Sequence, residues 1–370
     1  MNYSASFNYS TDFLFYTAVD RIMISVLIPI IFAVGVVGNC AVITVFYRIK
    51  EMRTVTNCYL IALSISDLLF LVSSVPVYWV SYRRSPIPED LPGVSLSLCK
   101  LSIYSSDVSF MVSVLLVLLV TVERYMAINL SWKSKKLTSK RRAITSCILV
   151  WVLVIIYKIP DLYFVKLTTV ALDHDFWPVP EHYPDTVSYC QYCNLANATE
   201  WCGFFNKSLI VEGVLPLVEV IPLAILYSII VVKLKRHYRT NSPRRMTNGH
   251  GSKLYLRRES QVTRLLVVTV IVFGICVMPF QILHVLPDPL RRRVQEELPI
   301  SRNIVRMLLY INSAINPVLY NLVSGNFRNA FRKLFHGCFL FPYQCSHQFK
   351  SSTREIHLEL NEISRNRGKE

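Results

Sequence analysis

Polar side chains stand inside stretches that are otherwise almost wholly apolar: Asn39, Asp67, Ser113, Asn312 and Asn316. A polar group surrounded by hydrocarbon is costly, so each needs a reason. For the amides and Ser113, hydrogen bonding between helices is as good a reason as any other. Asp67 is different. A carboxylate at that depth needs a cation, a set of donors or a proton, which makes Asp67 the best intramembrane candidate for a sodium or proton site. The commoner catalytic constellations do not appear: there is no HExxH, no intramembrane Asp pair and no Ser–His arrangement. Cys190 and Cys193 have CxxC spacing without a second pair, so zinc is not indicated. Lys158 and Asp161, one turn apart, read as an intrahelical pair near the outer surface rather than as an ion path.

The elements that must position these groups are long apolar runs. Hydrophobic residues make up 52% of the 370 and charged residues 17%, less charge than a soluble domain of this length normally carries. Seven runs of membrane-spanning length stand out: Ile22–Tyr47, Tyr59–Tyr82, Leu96–Ile128, Ile144–Val165, Leu209–Val232, Leu265–Leu286 and Ile304–Leu322. About 20 residues of helix cross about 30 Å of hydrocarbon. In lipid the backbone must satisfy its own hydrogen bonds, so the runs are expected to be helices, and the alternation of a membrane barrel is absent. The fold class is therefore an all-α membrane protein, a seven-helix bundle.

The net charge of +16 could point to nucleic acid, but its distribution argues otherwise. Basic residues cluster at Lys133–Arg142 and Lys233–Arg264, which share one side of the membrane if the amino terminus is outside. That is the positive-inside signal, and it places the carboxyl terminus in the cytoplasm. The sequons at Asn2, Asn8, Asn197 and Asn206 then lie outside, where glycosylation is expected. No cleavable signal peptide is evident in Met1–Asp20.

Four segments follow: an extracellular stretch over 1–21, the membrane domain over 22–323, an amphipathic helix over 324–337 and a cytoplasmic tail over 338–370. In the third segment Phe327, Phe331, Leu334 and Phe335 share one helical face, opposite Arg328, Arg332 and Lys333, as in a helix lying on the inner leaflet. Cys338 and Cys345 stand where palmitate could add an anchor, or are ordinary cytosolic thiols. The inner loop from about His237 to Ser260 reads as flexible, and the outer loop Lys166–Lys207 is long and rich in Asp, Pro, Tyr and Cys.

Gly38-Asn39, Leu63 with Asp67, Glu123-Arg124-Tyr125, Trp151 and Asn316-Pro317-Val318-Leu319-Tyr320 occur in order, each in the expected run. Together they resemble rhodopsin-like G protein-coupled receptors from roughly Gly35 to Phe335. Met52–Leu60, Gln261-Val262-Thr263, Asn312–Leu322 and Phe327–Leu334 look like the thyrotropin-releasing hormone receptors.

The resemblance implies a plasma-membrane receptor that couples to a heterotrimeric G protein, with arrestin and membrane lipid as further partners. It implies a switch in which Arg124 pairs with Glu123 and with Glu259, twenty residues before Pro279. Pro279 would hinge the sixth helix, and Asn316, Pro317 and Tyr320 would complete the switch. It also implies a disulfide from Cys99 to one of Cys190, Cys193 and Cys202, among which the sequence does not choose. Two departures stand out. The class pattern Cys-Trp-x-Pro is here Cys276-Val277-Met278-Pro279, and Tyr227 comes five residues after Pro222 where the class has eight.

Single positions test the ligand class. The helix-seven position that is a Schiff-base lysine in light receptors is Tyr310, which argues against an opsin. The position that is an aspartate in amine receptors is Ser106, although Asp107 beside it keeps an amine or other small molecule as an alternative. A seven-helix transporter or channel is a more distant one. The long outer loop and scattered charges fit a short peptide. Candidate contacts are Asp107, Met111, Glu212, Glu219, Phe280, Gln281, His284 and Arg306. Arg306 matches an arginine that the thyrotropin-releasing hormone receptors use for ligand, while their tyrosine and asparagine are Asp107 and Met111 here. The charges fit a peptide with an amidated or basic end at Asp107 or Glu219 and an acid or carbonyl at Arg306.

Overall fold

The computed structural model describes residues 15–129, 139–171, 186–192, 213–214, 218, 222–223, 225–230, 232–233, 250–298 and 300–340, with side chains undescribed at 128–129, 250–260, 288, 292 and 335–340. The first membrane helix, α1 (Ala18–Arg48), opens on a reciprocal cap: Thr17 Oγ1 accepts from the Asp20 amide, and Asp20 Oδ2 accepts from the Thr17 amide. A single π turn interrupts it over Met23–Leu27. The helix thus starts inside the stretch assigned above to the extracellular segment. Hydropathy marks where hydrocarbon begins, whereas a helix continues until a cap ends it.

α2 (Val55–Arg84) starts on Thr54, whose side chain accepts from the Asn57 amide, and runs through Pro76. α3 is Leu96–Asn129. α4 (Lys140–Phe164) is capped by Ser139 and breaks at Lys158, because Pro160 has no N–H to continue the ladder. α5 is described at residues 213–214, 218, 222–223, 225–230 and 232–233. α6 (His250–Val285) carries Pro279, and a short outer helix, Asp288–Glu297, follows it. The inner loop read as flexible up to Ser260 is therefore already helical from His250; Lys, Leu and Arg there are good helix formers despite their polarity. α7 (Ser301–Val323) contains Pro317, and α8 (Gly325–Leu340) extends three residues beyond the expected end at 337.

α3 occupies the centre, against α2, α4 and α6. The interior is filled by Leu71, Val112, Leu116, Tyr310 and Tyr320, while Val37, Ile148, Leu153, Ile156, Ile275 and Leu322 face outward, as lipid-facing residues must. α1 packs closely because it carries glycine: a Cβ on Gly35 would sit 2.5 Å from Leu71 Cδ1 and 2.9 Å from Ala314 Cβ, and one on Gly38 would sit 2.9 Å from the Pro317 ring.

The long outer loop is not irregular throughout. β1 (Val165–Ala171) and β2 (Thr186–Tyr192) form an antiparallel hairpin with Leu167 opposite Cys190 and Val165 opposite Tyr192. Val and Thr in both strands favour the extended backbone.

Candidate functional site

A cavity of about 650 Å³ opens between the outer ends of the helices, the size of a drug-like or peptide-end pocket. α3 supplies Asp107 and Met111, α6 supplies Phe280, Gln281 and His284, and α7 supplies Arg306 and Tyr310. Strand β2 forms one wall with residues 189–192. Every described ligand candidate from the sequence therefore lies on one surface. Glu212 and Glu219 lie outside the described residues.

Helix periodicity explains the convergence on α3 and α6. Asp107 and Met111 are four residues apart, one turn, so both face inward; Phe280 and His284 repeat that spacing and stack at 6.0 Å. Asp107 accepts a short hydrogen bond from the Tyr192 hydroxyl, which β2 holds over it. Arg306 places Nη2 2.8 Å from Glu89 Oε1, and its guanidinium stacks over the Tyr78 ring at 4.3 Å. Tyr78 donates to Asn303 Oδ1, and Asn303 Nδ2 donates to Asp20 Oδ1 over 2.7 Å, so Arg306 heads a polar chain that reaches the start of α1. Partial desolvation opposes the charge on Glu89, but Arg306 and then Arg302 outweigh it and hold the carboxyl below the usual carboxylate range.

Glu89, Tyr192 and Lys158 are among the cavity residues not singled out as ligand contacts. Glu89 lies in a short proline-rich loop whose path no local pattern reveals. Tyr192 needed the hairpin register. Lys158 was read only as the partner of Asp161; that pair is present at 3.6 Å, but both side chains are buried and Lys158 lines the cavity. The break at Pro160 turns this segment inward, and the proline was the available signal.

Beneath the cavity lies the polar core. Asn316 Nδ2 donates to Asp67 Oδ2 over 2.9 Å, and Asn39 Nδ2 donates to the carbonyls of Gly35 and Ser313 at 2.9 and 3.0 Å. Asn312 is also buried. Ser113 bonds Ser66 of α2, which gives it the interhelical role allowed for it above. Among the described residues, Asp67 Oδ1, Asn39 Oδ1, Ser64 Oγ and the Tyr320 hydroxyl are buried here without a hydrogen-bond partner. Oxygen atoms left open around a carboxylate suit a hard cation or water. Val277, which stands where the class has tryptophan, is buried with Phe273 in the hydrophobic core.

At the inner end Arg124 grips Glu123 through Nε at 2.6 Å and Nη2 at 2.9 Å, a two-pronged pair with both side chains buried. Tyr125 beside it is half-buried, and Tyr227 of α5 is within 3.1 Å of Thr121 Oγ1, so Tyr227 faces the bundle despite its unusual spacing from Pro222. The Glu259 side chain lies outside the described residues. Tyr320 stacks at 5.3 Å on Phe327 of α8, where Phe327 and Phe331 are buried against the bundle and Arg328, Arg332 and Lys333 are exposed.

Cys190 is the partner of Cys99. Cys193 and Cys202 lie outside the described residues, as do the sequons at Asn2, Asn8, Asn197 and Asn206, Cys345 and the side chain of Cys338.

Comparison with known proteins agrees with this geometry. Residues 38–320 match the 7 transmembrane receptor (rhodopsin family). The chain is 30% identical to neuromedin-U receptor 1 of Rattus norvegicus, over 90% of this chain and 77% of the relative. It is 30% identical to the thyrotropin-releasing hormone receptor of Gallus gallus, over 86% and 80%. It is 31% identical to growth hormone secretagogue receptor type 1 of Sus scrofa, over 82% and 78%. With a buried polar core, an arginine clasped at the inner end and an outer cavity walled on one side by a tethered hairpin, the chain belongs to the rhodopsin family of seven-transmembrane receptors.

Proposed function

We propose that this receptor binds a short peptide in the outer cavity and passes the signal to a heterotrimeric G protein across the plasma membrane. The observation that carries the reading is the charge arrangement: Asp107 of α3 and Arg306 of α7 line one cavity of about 650 Å³. A peptide presents donors and acceptors along its length and can meet both ends at once. The relatives named above are receptors for neuromedin-U, thyrotropin-releasing hormone and growth hormone secretagogues, and that supports a peptide over an amine. The orientation rests on the positive-inside bias, with the amino terminus extracellular.

Transmission follows from population shift. A ligand moves the receptor toward its signalling state only by the difference in its affinity for the two states. Arg124 holds Glu123 in the closed state, with Glu259 as its second partner, and meets the G protein once α6 swings about Pro279. Asp67 Oδ1, open in the buried core, is the place for a sodium ion that favours the closed state. Arrestin engages the same inner face, and α8 lies on the inner leaflet with Cys338 and Cys345 as lipid anchors.

The test is a screen of short peptides, amidated and free, on cells expressing the receptor, read by calcium and cyclic AMP. Activation by a peptide that is lost in both Asp107→Asn and Arg306→Gln at matched surface levels is the expected result. Silence to every peptide alongside ion current or solute uptake would remove the reading.

A further inference from the structure

The Arg306 end of the cavity is not a bare cation. Glu89 stands beside it, Oε1 to Nη2 at 2.8 Å, and keeps 46% of its side chain open while lining the same cavity. The guanidinium carries one positive charge, and Glu89 already matches it.

Glu89 is held in place rather than loosely tethered. Its φ of 69° puts it in the left-handed region, where among the described residues it is the single non-glycine example. The chain after it is pinned: the Ser81 hydroxyl donates to the Asp90 carbonyl, the Ser188 amide donates to Asp90 Oδ1 at 2.8 Å, and the Leu91 amide donates to the Ser188 carbonyl at 2.8 Å. Pro86, Pro88 and Pro92 stiffen the loop further. A group that docks on Arg306 therefore meets a donor and a fixed anionic acceptor side by side.

A carboxylate has only acceptors and would be set against a second carboxylate. A primary amide has both parts: its carbonyl accepts from Arg306 and its NH₂ donates to Glu89. We propose that Glu89 is a specificity-determining residue that makes this end of the cavity a subsite for a neutral carbonyl group, above all the primary amide of an amidated chain end, and turns away a free carboxylate. The proposal rests on the outer cavity being the ligand site, and it chooses between the acid and the carbonyl, both of which can accept from Arg306; a guanidinium without Glu89 beside it would favour the acid.

The test uses two small probes on the purified full-length receptor, so it does not wait for an agonist. N-acetyl-phenylalaninamide and N-acetyl-phenylalanine are titrated against the parent, Glu89→Gln, Glu89→Asp and Arg306→Gln, with binding read by saturation-transfer NMR. The parent is expected to prefer the amide, and Arg306→Gln to lose it. Glu89→Gln removes the charge with little change of shape, and should shift the amide-to-acid ratio about tenfold toward the acid, as expected for one like charge removed from a partly wet site. Glu89→Asp keeps the charge and should keep the preference. Equal binding of both probes to the parent, a ratio unmoved in Glu89→Gln, or no binding of either probe to the parent would each overturn the proposal. If the amide binds at Arg306 and yet no peptide activates cells, the peptide reading fails and this one stands.

Discussion

Asn316 of α7 donates its amide to Asp67 of α2, and the second oxygen of that carboxylate has no hydrogen-bond partner among the described residues. The contact joins residues 249 positions apart in sequence, so the buried acid reports the relative position of two helices that both reach the outer cavity. If a sodium ion takes the open oxygen, sodium should lower agonist affinity, and Asp67→Asn should abolish that dependence. Agonist competition curves with and without sodium check this; curves that ignore sodium in the parent remove the ion from the account.

At the inner end, Arg124→Ala is expected to cut G protein activation sharply while leaving peptide binding nearly unchanged, because the two sites lie at opposite faces. Glu259→Ala should raise basal signalling by no more than about fivefold, the yield of a pair worth about 1 kcal/mol. Nucleotide exchange at matched surface levels decides. Unchanged basal activity in Glu259→Ala together with normal signalling by Arg124→Ala would defeat the switch.

Loss of the Cys99–Cys190 bond should free β2, and with it Tyr192 and the wall of the cavity. Cys99→Ser is expected to lose surface expression or ligand binding. Peptide binding that is indifferent to both this substitution and reducing agent would show that the hairpin holds its place without the bond.

Tyr227→Phe removes the hydrogen bond to Thr121, whose hydroxyl keeps the Val117 carbonyl at 2.7 Å. Since no donor is stranded, the loss should be about 1 kcal/mol of stability. Thermal unfolding in detergent measures it, and a far larger loss would mean that Tyr227 carries more than this one bond.

The Glu89 carboxyl is held below the ordinary range, so its contribution is present above the pKa of the unfolded chain and is lost only as pH falls through the lower, folded value. The amide-over-acid preference should therefore be the same at pH 7.4 and pH 5.5. Rising affinity for the acid probe over that window would mean that Glu89 titrates higher than its surroundings dictate.

Much of this was legible in the chain. Polar residues embedded in apolar runs located the core around Asp67, and the order of motifs located Arg124 and Pro279. What escaped depends on contacts between distant segments. Hydropathy could not extend α1 to Ala18, because the cap is made by Thr17 and Asp20 rather than by apolar residues. Nor could it bring Glu89 to Arg306, 217 positions away, since the loop path is set by Asp90 and the hairpin. Three cysteines competed for Cys99, and strand pairing that sets Leu167 opposite Cys190 accompanies the observed choice.

The bond between Cys99 and Cys190 also sets a scale for whatever enters. Cys99 stands at the outer tip of α3, and Asp107 lies eight residues further along the same helix. At about 1.5 Å per residue that is a descent of about 12 Å. An extended peptide advances about 3.3–3.6 Å per residue, so about four residues are needed to span from the level of the bond to Asp107. β2 is fastened at the top of this descent. Tyr192, two residues past the bond, already reaches Asp107, so the span of about four residues is the run over which an entering peptide lies beside β2.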